Sequence, residues 1–306
     1  MTGRRRWLRG AAGAVALFAG SAFGMGQGLK VCLESGPPPL SSKDRGGIDL
    51  AAAQQVADWL GRPLEVVWYE GEDDSDASPA AQVNGLLSAG ECQLAGGFPL
   101  VSDGLRAPYN TQYPLVLPDH TRRFVSLGTL IHTAPYRSVD FRVVLGAAAG
   151  QRSVRSLDDL RGLRLLAEPS SLADNILLAH GGGVLQGDIV HVPMLRSDVL
   201  TALEKGDGAA ALVEGPQYDA YKQAHPDSTL RDSGYRHPLQ VNVGFVALDT
   251  LRGVVDLFDE AIPDLIEQGD FATEFARRGY RFVPPVEPTV LPPLTLRLLA
   301  RPADGS

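Results

Sequence analysis

Where apolar runs stop along this 306-residue chain, carboxylates and hydroxyls follow: Glu34-Ser35-Gly36, Glu168-Pro169-Ser170-Ser171 and Glu214-Gly215, with a glycine-aromatic step at Gly96-Gly97-Phe98-Pro99. Side chains of these types hold a polar or charged solute by hydrogen bonds and charge. They form neither a nucleophile with its base nor a metal cage. The histidines, His120, His132, His180, His191, His225 and His237, have no metal-ligand spacing. No G-x-S-x-G elbow, phosphate-binding glycine loop or nucleophilic cysteine motif occurs. The acidic stretch EGEDDSDASP at 70–79 lacks the alternating ligands of a calcium loop and reads as a solvated loop that opens the next helix. The chemistry expected is therefore non-enzymatic binding, with no cofactor and no metal.

Only two cysteines are present, Cys32 and Cys92. The chain opens MTGRRRWLRG, then AAGAVALFAGSAF, then AFGMG, the basic, apolar and small-residue regions of a secretory signal peptide over residues 1–26. Arg4-Arg5 with Trp7-Leu8 also fits a twin-arginine signal, so export is by the Sec or the twin-arginine route. Export to a bacterial periplasm favours a Cys32–Cys92 disulfide, which would close a loop of about 60 residues and contribute roughly 4 kcal/mol. Two buried free thiols or a redox pair are the alternatives. A net charge of -8 argues against a broad nucleic-acid surface. No apolar run in 27–306 reaches the roughly 20 residues of a membrane-spanning helix.

These groups need elements to position them. LKVCLE (29–34) reads as a strand. Ile48, Leu50, Ala53, Val56, Ala57 and Leu60 share one helical face, ended by Gly61. LEVVWY (64–69) is a second strand, 80–89 a second helix, and CQLAGG (92–97) a third strand. Residues 107–132 read as an irregular surface loop or flap. Alternating Val139, Phe141, Val143 and Leu145 give a strand. A second β-α-β-α-β unit starts near Gly150, with a helix capped by Ser170 or Ser171 and a strand ending at Glu214. VNVGFVAL (241–248) is an apolar strand able to return to the first sheet, followed by closing helices. The proline-rich end, from Val283 on, reads as a surface run or a frayed tail. The order implies an α/β chain of two lobes, with parallel-dominated sheets flanked by helices and a ligand cleft at the carboxyl ends of the strands. The divisions are 27–137 for the first part of lobe 1, 138–240 for lobe 2, and 241–306 for the return to lobe 1 and the tail.

GLKVCLESGPPPLSSKD, GGIDLAAAQQVADWLGRPLEVVWY, NGLLSAGECQLAGG, TAPYRS, SLDDLRGLRLLAEPSSLADNIL and LEKGDGAAALVEGPQYDAY stand in order along nearly the whole of 27–306. In order and spacing they resemble the bacterial periplasmic solute-binding proteins of the polar amino-acid type (family 3). The resemblance implies a type II periplasmic-binding-protein fold with two crossover strands and hinge closure around a ligand. The cysteines in LKVC and GEC, with GGFP and TAPYRS, are similar to the J-type (MxaJ/XoxJ-like) proteins that accompany PQQ-dependent methanol dehydrogenases. In that pattern strands 29–34 and 92–97 lie side by side, and bridging Cys32 to Cys92 requires a bulge or shift, because Cys92 sits early on its strand and Cys32 late.

The resemblance also marks absences. The arginine that grips a ligand carboxylate in amino-acid receptors falls near Gly104, with Arg106 two residues late, and the stacking aromatic falls at Leu40. The candidate cleft residues are Glu34, Ser35, Phe98, Arg106, Ser170, Ser171 and Glu214, with the Pro37-Pro38-Pro39 turn at the rim or at a protein-binding edge. Tyr109, Tyr113, Arg122, Arg123 and Phe124 have the aromatic and arginine character of a partner surface. The function implied is an accessory or maturation partner of a periplasmic quinoprotein dehydrogenase. The alternative is a solute receptor for a transporter or sensor, whose small polar ligand is not an ordinary α-amino acid.

Overall fold

Strand β1 (Leu29–Glu34) is apolar on both faces, with Leu29, Val31, Cys32 and Leu33 all buried. A strand covered on both sides belongs inside a helix-flanked sheet. The computed structural model describes residues 28–36, 39, 41–71, 79–106, 112–192 and 198–300, so the expected signal peptide lies outside the described residues, as do Pro37, Pro38, Leu40 and Tyr109. After β1 the chain forms α1 (Ile48–Trp59), β2 (Leu64–Tyr69), α2 (Pro79–Ser88) and β3 (Leu94–Pro99). Alanines at 51, 52 and 53 are buried on α1, so the helix backbone lies close to the sheet. Proline at the first position of α2 gives up no helical hydrogen bond.

The segment expected to be irregular instead contains a hairpin of β4 (Gln112–Val116) and β5 (Arg122–Ser126), then β6 (Leu130–His132). Leu115 of β4 and Val125 of β5 are the buried positions of the hairpin. So few inward residues leave no alternation to read, and backbone pairing defines the strands. β7 (Arg137–Val139) and β8 (Phe141–Leu145) follow, and the chain changes sheets between them, at Asp140. The second unit continues as β9 (Leu165–Ala167), α3 (Leu172–Ala179), β10 (Ile189–His191), α4 (Val199–Glu204), β11 (Ala210–Glu214), α5 (Gly215–Ala224) and β12 (Arg231–Arg236). The second change of sheet lies between β12 and β13 (Val241–Leu248), which precedes α6 (Arg252–Glu267), α7 (Asp270–Arg277) and the single-turn α8 (Leu296–Leu299).

The first lobe's sheet runs β2-β1-β3-β13-β6, with β7 also paired to β13, and the second runs β10-β9-β11-β8-β12. Both sheets are mixed, with a parallel part and antiparallel strands added to it. β2, β1 and β3 are parallel, but β13 pairs antiparallel with β3; β8 likewise pairs antiparallel with β11. Strands that arrive from the other lobe enter from the opposite end of the sheet, so their direction is reversed. The result is a two-lobed α/β fold joined by two crossovers. A cluster of buried rings, Tyr136, Phe245, Phe258, Phe271 and Phe275, packs beneath the first sheet, with Tyr136 and Phe245 centroids 4.9 Å apart. Among the described residues, no helix is long and apolar enough to cross a membrane.

Cys32 and Cys92 form a disulfide with Cα atoms 5.6 Å apart. The third strand starts at Leu94 rather than at Cys92, and Cys32 is paired with Ala95. Cys92 therefore lies on the bend ahead of the ladder, where Gln93 and Lys30 exchange hydrogen bonds, and this supplies the shift that the bridge requires. The proline-rich tail is held rather than frayed as far as Ala300. The buried Asn242 amide donates to the carbonyls of Val286, Pro288 and Thr289 and accepts from the Val286 N–H at 2.9 Å. Leu291 makes a parallel bridge beside Val101, and Leu299 of α8 is buried. Prolines deny the tail a regular ladder, so one side chain from β13 satisfies it instead.

Candidate functional site

At the carboxyl ends of β1 and β3, Leu33, Glu34, Ser41, Asp49, Tyr69, Val83, Phe98, Val101 and Gly104 line a cavity of about 140 Å³. Asp49, in the first turn of α1, is a buried part of its wall. Its Oδ1 accepts the Tyr136 hydroxyl at 2.5 Å and Arg137 Nη2 at 3.0 Å. The Tyr136 oxygen in turn accepts the Gly97 N–H at 3.0 Å. Gly97 has φ of +75°, and a Cβ there would stand 3.0 Å from Asp49 Oδ2, so conformation and contact both call for glycine. Burial and the Asp49 charge push the Tyr136 phenol well above its ordinary range. Burial alone would lower the Arg137 guanidinium; Asp49 and Tyr136 outweigh it and hold it up. Arg137 is thus a spent cation, fixed in an ion pair.

The carboxylates facing the cleft are different. Burial, then Asp49, raises the Glu34 carboxyl above its usual range. Across the cleft, Glu168 follows β9 and is raised by burial. Glu214 ends β11 and stands at the N-cap of α5 without capping it. Its surface is open to solvent, yet protein surrounds it on the cleft side. Burial there raises its carboxyl, Arg137 opposes, and Glu168, Asp49 and Asp140 add to the rise. Among the described residues, Glu34, Glu168 and Glu214 have no hydrogen-bonding or ion-pairing partner.

Charges at the crossovers are paired. Arg142 bonds Asp140 and Asp219, both at 2.8 Å, while Arg236 of β12 reaches Asp140 at 3.2 Å and Asp232 at 2.6 Å. One carboxylate, Asp140, therefore links the two inter-lobe connections.

The residues expected at the site separate. Glu34 and Phe98 line the cavity. The Phe98 ring lies over Gly104, where a Cβ would stand 3.3 Å from its Cζ, so an apolar ring fills the space beside the position at which the resemblance leads one to expect an arginine. Arg106 is exposed, at the end of the following turn and outside the cavity lining. Ser35 donates its N–H to Tyr69 O at 2.7 Å and lines a second hollow of about 340 Å³ with Lys43, Trp68, Val116 and His120 rather than the first cavity. Ser171 caps α3 by accepting the Asp174 N–H at 3.1 Å, and Ser170 is exposed with φ of +66°. On the hairpin, Arg123 donates to Ala89 O at 2.7 Å, Tyr113 is half-buried, Arg122 is exposed and Phe124 is 70 % exposed. Reading by residue type missed Asp49, Tyr69, Tyr136 and Arg137, and placed Glu168 at a strand end without making it a cleft candidate. The GGID and TAPYRS motifs carried three of them, but only contact shows what they do. Among the described residues, no three His, Cys, Asp or Glu side chains are grouped to hold a metal ion.

No protein-family model matches the chain, and no curated protein matches it by sequence. Its fold is matched by solved structures. The GluR0 ligand-binding core in complex with L-glutamate superposes with a TM-score of 0.58 at 18% identity, covering 83% of this chain and 99% of that one. The unliganded, open L-cystine solute receptor of Neisseria gonorrhoeae gives 0.56 at 18%, covering 83% and 94%. A histidine kinase sensor domain with similarity to periplasmic binding proteins gives 0.56 at 15%, covering 84% and 98%. Identities this low carry the fold: the chain has the two-lobed architecture of solute-binding proteins.

Proposed function

We propose that this chain is an extracytoplasmic, non-enzymatic receptor that closes on a small solute carrying no carboxylate group, delivering it to a transporter or sensor. One observation carries the reading: among the described residues, the strand-end carboxylates Glu34, Glu168 and Glu214 are unpaired, while the guanidinium beside them, Arg137, is held by Asp49. An α-carboxylate would meet repulsion and no free guanidinium there. The disulfide supports an oxidising compartment, as does the basic-then-apolar N-terminal sequence. The test is thermal unfolding against a panel of amines, alcohols, sugars, amino acids and organic acids. A ligand at about 100 times its Kd stabilises by about 2.7 kcal/mol, a rise of roughly 5–10 °C for a chain of this size. Stabilisation by a solute without a carboxylate is the expected result, and stabilisation by α-amino acids alone would overturn the reading.

A second reading is the accessory role beside a periplasmic quinoprotein dehydrogenase. It is favoured by the β4–β5 hairpin, which presents Phe124 at 70 % exposure beside the exposed Arg122. Aromatic and arginine side chains of this kind anchor protein interfaces. Co-purification with such a dehydrogenase, lost on Phe124→Ala, is the expected result; no co-purification would remove it.

A further inference from the structure

We infer that the solute is a linear organic dication, an α,ω-diamine or polyamine, lying with one ammonium at Glu34 of the first lobe and the other between Glu168 and Glu214 of the second. The inference rests on the solute-receptor reading above and narrows its ligand.

Each lobe brings its own unspent carboxylate to the cleft. Glu34 ends β1 at the cavity wall and is packed on Gly71, where a Cβ would stand 2.6 Å from its Oε1. It accepts no hydrogen bond from the described residues, so its oxygens are free for a ligand. Leu33, Tyr69, Val83, Phe98 and Val101 make most of the remaining wall apolar, beside Ser41 and the ion-paired Asp49. Such a surface suits a methylene chain, and the Tyr69 and Phe98 rings suit an ammonium beside it. Glu168 and Glu214 lie on the opposite lobe, at the ends of adjacent strands β9 and β11. Glu214 feels the charge of Glu168 and that of Asp49.

Other ligand classes fit less well. An anion would have to compete for the arginines at the crossovers, because Arg137 is bound to Asp49 and Arg142 and Arg236 are bound to Asp140. A metal ion finds no convergent ligand group among the described residues. A monocation would neutralise one lobe and leave the carboxylate of the other facing a closing, drying cleft, where an unpaired charge is costly. A dication neutralises both lobes, so closure becomes favourable only when both ends are in place. Specificity follows from that requirement: the distance between ammoniums selects the chain.

The experiment is isothermal titration calorimetry of the full chain with α,ω-diamines of increasing length and spermidine, beside butylamine, 1,4-butanediol, L-arginine and calcium chloride. One diamine or polyamine should bind at least tenfold more tightly than butylamine. Glu34→Gln and Glu214→Gln should each weaken it about tenfold, or about 1.4 kcal/mol, and each should raise the melting temperature of the unliganded protein, because a repelled charge is removed. That rise separates a lost contact from a misfolded variant. Equal binding of butylamine and diamines, undiminished binding by either variant, or tighter binding of calcium than of any diamine overturns the dication. If 1,4-butanediol or butylamine binds as well as any diamine, the dication fails and the receptor reading stands. If only solutes bearing a carboxylate bind, or nothing binds here or in the wider melting panel, both fail.

Discussion

The hydroxyl of Tyr136, just ahead of the first crossover, donates to the carboxylate of Asp49 on the first helix at 2.5 Å, across 87 residues of sequence. The same oxygen accepts the Gly97 N–H, and the same carboxylate pairs with Arg137. Three segments of the first lobe, α1, the end of β3 and the start of the crossover, are thereby fixed behind the cleft. The pairing also commits Asp49 and Arg137 to each other, while among the described residues Glu34, Glu168 and Glu214 have no such partner.

Breaking this network should be costly. Asp49→Asn leaves the largely buried Arg137 without its counter-charge, and a broken buried pair typically costs 3–5 kcal/mol, so a loss of about that size is expected. Tyr136→Phe removes one donor and strands the Gly97 N–H, for a loss of about 1–3 kcal/mol. Urea unfolding followed by circular dichroism reads both. A loss below about 1 kcal/mol for Asp49→Asn would show that the pair does not hold the crossover.

Acid sensitivity should trace in part to His237, in the second crossover. Burial first, and then neighbouring His180, lowers its pKa to about 4. Its Nδ1 accepts the Leu239 N–H at 3.2 Å, which leaves Nε2 carrying the proton, buried and without a partner. The folded protein holds this ring neutral while the unfolded chain protonates it near pH 6.5. Its contribution is therefore fully present above about pH 6.5 and is lost as pH falls toward 4, by roughly 3 kcal/mol in all. Glu34, Glu168 and Glu214 act in the opposite sense, because their raised pKa values make protonation on acidification a relief. His237→Asn keeps an acceptor for Leu239 and should flatten the decline between pH 6.5 and 4 in a stability–pH series. An unchanged slope would assign the decline elsewhere.

Reduction of the Cys32–Cys92 bridge should lower stability by roughly 4 kcal/mol, the loop-entropy value for its 60-residue separation. The double variant Cys32→Ala/Cys92→Ala, compared with wild type by guanidinium unfolding with and without reductant, measures it. Wild type should fall to the level of the variant on reduction; equal stability with and without reductant would show that no bridge forms in solution.

The tail should depend on Asn242. Asn242→Ala strands the carbonyls of Val286, Pro288 and Thr289 and the Val286 N–H at a buried position, which should cost about 1–3 kcal/mol. Amide hydrogen exchange should rise at Val286 and Leu291 before it rises in β13. Exchange that rises everywhere together would mean the tail is not a separate unit.

Local periodicity and punctuation placed β1, β2, α1, α2, β13 and the strand ends at Glu34 and Glu214, because a covered strand and an amphipathic helix write their partners into their own spacing. The pairing of the cysteines was expected from export to an oxidising compartment, and the apolar step after Gly97 from the resemblance, not from periodicity. The sense of β13 and β8, the shift that seats Cys92 beside Cys32, and the hairpin with one buried residue per strand were not, since each depends on a partner segment distant in sequence. The site shows the same division. Sequence supplied the carboxylates and the lack of an arginine near Gly104, but only the fold pairs Asp49 with Arg137 and leaves Glu34, Glu168 and Glu214 unpaired. Whether a charge is spent is a property of what lies within a few ångströms of it, and chain folding alone decides that.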